Sequence, residues 1–521
     1  MYPFKQALLA TSITALISGC TVAPIAMDKN NIITTAQADA TLLAKQQDRI
    51  DGPIGLDEAI ARALKNNRDK KLKALETALA QGQVDLVQHE MLPSLTTSAG
   101  YTSRNNYAAT ASVTFSDDEP DSLGDNPNYS VSQDKERTTY DAVFSWNLLD
   151  FGLSYVRANQ HADRYLIAKE RERKVVHNIT QEVRAAYWRA VSAERLLKQI
   201  GLLSEKANTA LANSREVETK RLRSPIEALY YQRELLDIQR SLQSLRQDLV
   251  NAKIELAGLM GLKPGTVFKL GDVSNPDFKE PTLDLDLASM EKKALTNRPE
   301  LVETYYQKRI SAAETRAAIL KIFPGINLNA GIYHDSNDYL RDQNWNALGA
   351  QISWNLFDVF KVPAEQRLAK TRKALADEQR LATSMAVLTQ VHLAKVRFEQ
   401  ARNSYKLADQ YLDVASRIYQ QSKDATQNKR SSELDLIRES LNTVLAELRR
   451  DVAYADLQNS YGKVFVTMGM DLVPENYTQT SLKDLSSKIS ERFARWQRGE
   501  IEENRATPPS RTDESLEKEG A

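Results

Sequence analysis

The sequence predicts a mainly helical chain in which four β-strands, paired as two hairpins, interrupt long coiled-coil helices, the whole plan occurring twice in tandem. Three observations predict this. Glycine is scarce, at 19 of 521 residues, roughly half the usual share of about 7%. A block of residues around a tryptophan recurs at a constant offset, and short segments of period two break an otherwise helical pattern.

The helices follow from the missing punctuation. Between Leu153 and Ser224 there is no proline and a single glycine, Gly201, and between Ala364 and Tyr461 there is neither. In the first stretch Val176, Ile179, Val183, Ala186, Ala190, Ala193, Leu197 and Ile200 step by three and four, the spacing of a coiled-coil seam. A second seam runs from Leu235 through Leu242 and Leu249 to Leu259, and a third from Val387 through Phe398 to Ala415. A helix from Leu153 to Lys220 would be about 100 Å long at 1.5 Å per residue. Ser224-Pro225-Ile226-Glu227 has the form of a capping box, and Ser432-Glu433-Leu434-Asp435 offers a weaker one, so a helix is expected to start after each.

The repeat is carried by ends and turns. Phe144-Ser145-Trp146-Asn147-Leu148-Leu149-Asp150 matches Ile352-Ser353-Trp354-Asn355-Leu356-Phe357-Asp358, an offset of 208 residues that also relates Ser224 to Ser432 and Met260-Gly261 to Met468-Gly469. The resulting division is 1–19 as a signal peptide, 20–52 as an N-terminal segment, 53–262 as the first repeat, 263–284 as a linker, 285–470 as the second repeat and 471–521 as a polar tail. The hairpins fall at about 94–148 and 326–356, where apolar residues such as Leu95, Ala99 and Tyr101, or Ile326, Leu328 and Ile332, alternate with Ser, Thr, Gly and Asn. An acidic, polar loop from about Ser103 to Thr138 should face solvent.

Composition removes several classes of function. Sixty-nine Lys+Arg against 69 Asp+Glu leave no net field to attract nucleic acid, and none is expected as a partner. One Cys and five His provide neither a disulfide framework nor a thiolate metal site. No phosphate-binding loop, dinucleotide fingerprint or His-Glu-x-x-His is present, so no enzyme, metal or cofactor is expected. At the amino terminus Lys5 precedes a mainly apolar run to Ile17, too short to span a bilayer. Leu16-Ile17-Ser18-Gly19-Cys20 then closely resembles the lipobox of bacterial lipoproteins, which implies acylation of Cys20 and a mature chain that begins there. An ordinary signal peptide with a buried Cys is the alternative.

Strands with one apolar and one small or polar face suit a barrel with lipid outside and water within, although a half-buried soluble hairpin has the same pattern. Four strands cannot close, because single-chain barrels begin at about eight and open edges in lipid leave backbone groups unpaired. Three copies would pool twelve. Trp146 and Trp354, near strand ends, fit either an aromatic girdle or local packing.

With lipobox, paired hairpins, Ser-Trp-Asn-Leu blocks and coiled-coil seams together, residues 53 to 470 resemble the TolC-like outer membrane efflux family. The resemblance implies a homotrimer with a twelve-stranded barrel in the outer membrane, continued into the periplasm as an α-helical tunnel. It also implies a passive conduit of a tripartite efflux or type I secretion system, working with a periplasmic adaptor and an inner-membrane transporter and held by lipid at Cys20. In that family acidic side chains near the start of the last helix constrict the periplasmic aperture. The matching positions here are Asp435 and Arg438, the latter basic where the family's pattern is acidic; Asp435 is also placed to cap its helix. Arg221, Leu222, Arg223 and Ser224 resemble the tip that meets the adaptor, or form a solvated basic turn. A lipid-anchored periplasmic coiled-coil scaffold or adaptor without a pore is the rival reading, which does not account for two matched hairpins.

Overall fold

A computed structural model of the protein describes residues 26–45, 49–116, 118–220, 224–263, 265–271, 278–428, 430–473 and 477–500. The signal peptide, Cys20 and the tip residues Arg221, Leu222 and Arg223 lie outside the described residues.

An isolated helix α1 (Lys29–Lys45) leads to a short pair, α2 (Leu56–Asn66) and α3 (Arg68–His89), then to strand β1 (Ser94–Ser103). The excursion that follows holds β2 (Ala109–Ala111), β3 (Phe115–Ser116), β4 (Glu119–Pro120) and β5 (Tyr129–Val131), and returns in β6 (Glu136–Asn147). The long α4 (Leu148–Thr219) and the shorter α5 (Pro225–Leu259) complete the first set. The second set runs α6 (Leu287–Asn297), α7 (Pro299–Leu320), β7 (Gly325–Asp335), β8 (Asn344–Ser353), a 3₁₀ turn (Leu356–Lys361), α8 (Val362–Gln427) and α9 (Glu433–Thr467), and α10 (Leu482–Gln497) follows. At 72 and 66 residues, α4 and α8 are each about 100 Å long.

Local chemistry explains the recurring block. Asn147 caps α4 by accepting from the Leu149 and Asp150 amides at 2.9 and 3.0 Å, and Asn355 accepts from Phe357 N at 3.3 Å. Each Trp ends a strand region, each Asn starts a helical turn, and each Asp sits in the first turn, where the helix dipole favours it. At the other end, α5 and α9 both stop in Schellman motifs. Leu262 N donates to Ala257 O at 2.9 Å and Met470 N to Phe465 O at 3.0 Å, with Gly261 and Gly469 both at φ +71°.

The capping expectations reverse. Ser224 precedes Pro225 but makes no side-chain cap bond, because its own backbone carbonyl takes the Glu227 amide at 3.1 Å. Ser432 forms the reciprocal box with Asp435 that the sequence shows only weakly. Two further elements lie where little regular structure was expected. The Ala- and Thr-rich α1 stands exposed, its composition offering fair helix propensity. Within the tail, α10 is capped by Ser481 and buries Leu485, Ile489 and Trp496. The 103–138 loop is mostly exposed, yet pairs internally as β2 with β5 and β3 with β4.

The main sheet is antiparallel in the order β1-β6-β7-β8. Register sorts its faces cleanly, since Leu95 pairs with Phe144, Ala99 with Tyr140, Ala142 with Ile332, Trp146 with Leu328, Ala330 with Leu348 and Ile326 with Ile352. These residues share one face, and Leu95, Ile332, Leu348 and Ile352 on it are exposed. The other face is mainly small and polar, with Ser94, Thr96, Ser98, Ser145, Asn327, Asn329, Gly349 and Ser353, and carries Val143 and the stacked Tyr333–Trp345 pair toward its loop end. Among the described residues, neither β1 nor β8 has a partner on its outer edge.

The helices keep the same order. Each stave of the sheet continues as a helix, β1 from α3, β6 into α4, β7 from α7 and β8 into α8; α4 packs on α3 and α7, and α7 on α8. Farther from the sheet α5 and α9 take the flanking places, α4 touching both and α9 packing on α8. The seams read from the sequence are buried here, Val183, Ala186 and Ala190 on α4, Leu235 and Leu242 on α5, Val391 and Phe398 on α8.

A belt surrounds the middle of the bundle. Ile54 pairs with Leu270, Tyr187 Oη donates to Ile54 O at 3.2 Å, and Phe278 lies under the Arg450 guanidinium at 3.9 Å. Arg184 of α4 is 3% exposed and stacks on Phe493 of α10 at 4.2 Å. Among the described residues no carboxylate pairs with it, and burial draws its pKa down to about 10. An unpaired buried cation is costly, and a cation–π contact returns only about 2 kcal/mol. Arg184→Met should therefore hold or raise thermal stability, by up to about 2 kcal/mol; a loss of that size in a melting experiment would mean that Arg184 has an anionic partner.

Candidate functional site

The aperture residues named from the sequence lie together at the far end of the bundle. Asp435 Oδ2 accepts from the Ser432 hydroxyl at 2.6 Å, the Ser432 amide at 3.3 Å and the Ser431 hydroxyl at 3.3 Å, while its Oδ1 takes Arg438 Nη1 at 3.3 Å. The Ser432 hydroxyl is the main cause of a pKa held below the usual carboxylate value, with its amide and Arg438 adding to the effect. Asp435 thus stays ionised at neutral pH, and both its oxygens are engaged locally. Arg438 also reaches Glu234 of α5, its Nε donating to Oε1 at 2.6 Å. That carboxylate was not legible in the sequence, as it lies about 200 residues away with no motif to mark it. The arrangement is an Asp-Arg-Glu chain that pins the start of α9 to α5. Ser224, the one described tip residue of its motif, is exposed.

A second charged region lies higher. On α4 the belt-facing side holds Tyr187, Arg184 and Thr180; Lys174, Asn178, Glu182 and Arg189 fall on roughly the opposite side by helical phase. With Asp456 and Lys463 of α9 and Arg397 of α8, these residues line a groove of about 700 Å³. Lys174 and Arg298 bind Glu300 at 3.3 and 3.0 Å, and Arg189 binds Glu255 at 3.2 Å. Burial, then the charges of Arg298 and Arg397, push Lys463 below its ordinary value, and burial raises Asp456 against the pull of Arg189. The groove is polar and of mixed sign. Among the described residues no group of three or more His, Cys, Asp and Glu is placed to hold a metal, and no helix is long and apolar enough to cross a membrane.

At the belt, Arg173 of α4 donates Nε to Asp471 Oδ1 at 2.7 Å and Nη1 to Glu170 at 3.0 Å and to Asn297 O at 2.8 Å. His177 Nε2 is 2.7 Å from the same Asp471 oxygen. His177, which no sequence motif marks, is buried in an ionic knot joining α4 to the ends of α6 and α9.

A chain with this wall order, apolar strand face and terminal ionic link matches the outer membrane efflux protein family over residues 59–262 and 291–461, and it belongs to that family. Similar solved structures include the Campylobacter jejuni CmeC outer membrane channel, 14% identical with a TM-score of 0.62, covering 84% of this chain and 89% of that one. The Vibrio cholerae outer membrane protein VceC is 15% identical with a TM-score of 0.56, over 80% and 96% of the two chains. The open-state MtrE outer membrane channel of Neisseria gonorrhoeae is 17% identical with a TM-score of 0.57, over 78% and 88%. No curated protein matches the chain.

Proposed function

We propose that three copies of this chain close head to tail into a twelve-stranded barrel in the outer membrane, continued by a helical tunnel through the periplasm. The single observation that carries this reading is that the wall has two unsealed edges at every level. At the sheet they are β1 and β8. Below it, α3 exposes Leu72, Leu75, Leu79 and Leu86, and α8 exposes Leu368 and Leu375. Lower still, α5 exposes Ile226, Leu229 and Leu236, and α8 exposes Leu407, Tyr411, Val414 and Ile418. Steps of three, four and seven make each set a seam waiting for a helix. About five N–H and five C=O groups point outward from each ten-residue edge strand, and each costs several kcal/mol if left bare in lipid. Tens of kcal/mol therefore oppose a lone copy. Two copies would give eight strands, a barrel whose interior side chains must fill. Apart from Val143 and the stacked Tyr333–Trp345 pair near the loop end, the inward side chains are mainly Ser, Thr, Asn and Gly, too small for that, so three copies and a water-filled lumen fit better.

In this reading the chain is a passive conduit of a tripartite efflux or type I secretion system, coupled to a periplasmic adaptor and an inner-membrane transporter, with Cys20 acylated after removal of residues 1–19. Residues 53–262 and 285–470 act as duplicated wall segments, 263–284 as the belt linker, and Arg221 to Ser224 as the adaptor contact. Asp435 and Arg438 hold the periplasmic aperture. A poreless scaffold leaves both the exposed apolar strand face and the open edges without a purpose.

Planar-bilayer conductance tests this. The wild-type chain should give discrete cation-preferring channels, and Arg438→Ala or Asp435→Ala should raise conductance; Arg438→Ala changes stability by less than about 1 kcal/mol, as exposed ion pairs do, and Asp435→Ala by up to about 2 kcal/mol because its capping box is also lost. Unchanged conductance and selectivity in both variants would remove them from the constriction, and no channel at all would favour the scaffold.

A further inference from the structure

The outward apolar face of the sheet is too short for the membrane it must cross. On β7 it runs from Ile326 to Ile332, six steps or about 20 Å along the strand. A tilt of 35–45° leaves about 15 Å of height, against an apolar band of about 25 Å in outer-membrane barrels. The upper limit is set by Tyr140, stacked on His334 at 5.8 Å, with Tyr101 exposed at the same end. Roughly 10 Å is missing at the lower side.

The missing height is present in the neck where strands become helices. Phe151 and Tyr155 on α4, Ile319 and Phe323 at the end of α7, and Leu356 and Val359 in the 3₁₀ turn are all exposed. Phe151 packs edge-on against Trp146, whose side chain belongs to the apolar strand face. Gln160 lies nine residues on, about 180° around the helix from Phe151. It lines, with Arg157, Lys321, Lys361 and Arg372, a groove of about 580 Å³. Glu314, Asp358 and Glu365 line the same groove, so the charged side chains of the neck are gathered on one side of the wall and the rings on the other. Trp354 supports deep placement: its Nε1 donates to Ile322 O at 3.0 Å, whereas a tryptophan at the headgroup level keeps that donor for the wet side.

We infer that the neck, although not part of the barrel, is immersed in the phospholipid acyl chains of the periplasmic leaflet, and that the membrane boundary lies one to two helical turns below the last strand residue, near Tyr155 and Arg316. This places Trp146 and Trp354 inside the apolar zone rather than in a girdle. The inference rests on the barrel reading above and extends it.

Nitroxide labels on single cysteines, in a Cys20→Ser background reconstituted into phosphatidylethanolamine/phosphatidylglycerol vesicles, test it through accessibility to oxygen and to a water-soluble nickel complex. Phe151→Cys and Phe323→Cys should match Ile332→Cys, oxygen-accessible and nickel-protected, and Arg316→Cys should be nickel-accessible. Nickel access at both neck sites with Ile332→Cys protected would end the membrane at the sheet and overturn the inference alone. Neck labels shielded from both reagents would mean a neighbouring copy covers them, which also overturns it. Nickel access at Ile332→Cys would sink the barrel reading itself.

Discussion

Asp471→Ala lowers the stability of the folded chain by on the order of 3 kcal/mol, read as a shift of the denaturation midpoint in detergent. The carboxylate is half-buried and takes Arg173 and His177 on one oxygen, and its backbone carbonyl accepts Arg492 Nη1 at 3.0 Å. Removing it leaves the half-buried Arg173 guanidinium with Glu170 and the Asn297 and Gly469 carbonyls, and deleting one partner of a fully buried pair typically costs 3–5 kcal/mol, so this half-buried one falls at the low end. Asp471→Asn keeps an acceptor and should lose less. The pH dependence has a definite sign. Burial alone would raise the Asp471 pKa, but the hydrogen bond from His177 and the charge of Arg173 outweigh it and hold the pKa below the ordinary value. A carboxylate depressed on folding stabilises above its unfolded pKa, about 3.9, and that contribution disappears as pH falls through the lower, folded value. The gap between wild type and Asp471→Asn should therefore be constant above about pH 5 and narrow below pH 4. A gap that persists at acid pH would show that the knot acts through packing rather than charge.

Gly469→Ala should be nearly as damaging, by about 3 kcal/mol. At φ +71° any β-carbon meets the following carbonyl at a cost of roughly 1–2 kcal/mol. Here the added atom would also fall 2.5 Å from Asn297 C and 2.7 Å from Arg298 N, an overlap with backbone that cannot swing away and adds roughly 1–3 kcal/mol. Gly261→Ala meets Asn66 in the same manner, at 2.7 Å from its Cβ. Gly201 provides the contrast: it lies mid-helix with nothing within 4 Å of where a methyl group would sit, so Gly201→Ala should stabilise by roughly 0.5–1 kcal/mol. If Gly469→Ala and Gly201→Ala shift the midpoint alike, the closeness of the α9 terminus to the α6–α7 junction is wrong.

Much of the helical plan was readable because it depends on neighbours in sequence. The lack of Pro and Gly set α4 to within about five residues of its ends and marked the stretch that α8 and α9 share, and one spacing rule found the buried seams at Val183, Leu242 and Phe398. The Met-Gly pairs marked the ends of α5 and α9 for the same reason. What stayed hidden depends on partners far away. Nothing local links His177 to Asp471, nearly 300 residues on, or Arg438 to Glu234. The exposed stripes on α3 and α5 escaped because they lie open among the described residues, and a helix with a buried seam draws attention from a second one. The α10 helix was missed despite a signal: Leu485, Ile489, Phe493 and Trp496 step by four, four and three, but the charged residues between them read as a tail. Ser224 failed as a cap because the backbone carbonyl met the same donor first.

The mass of the detergent-solubilised particle by native mass spectrometry tests the wall most directly. The open edges at the sheet, at α3 with α8, and at α5 with α8 predict a particle of three chains. A stable particle of one chain, or of two, would contradict closure by identical copies and with it the conduit.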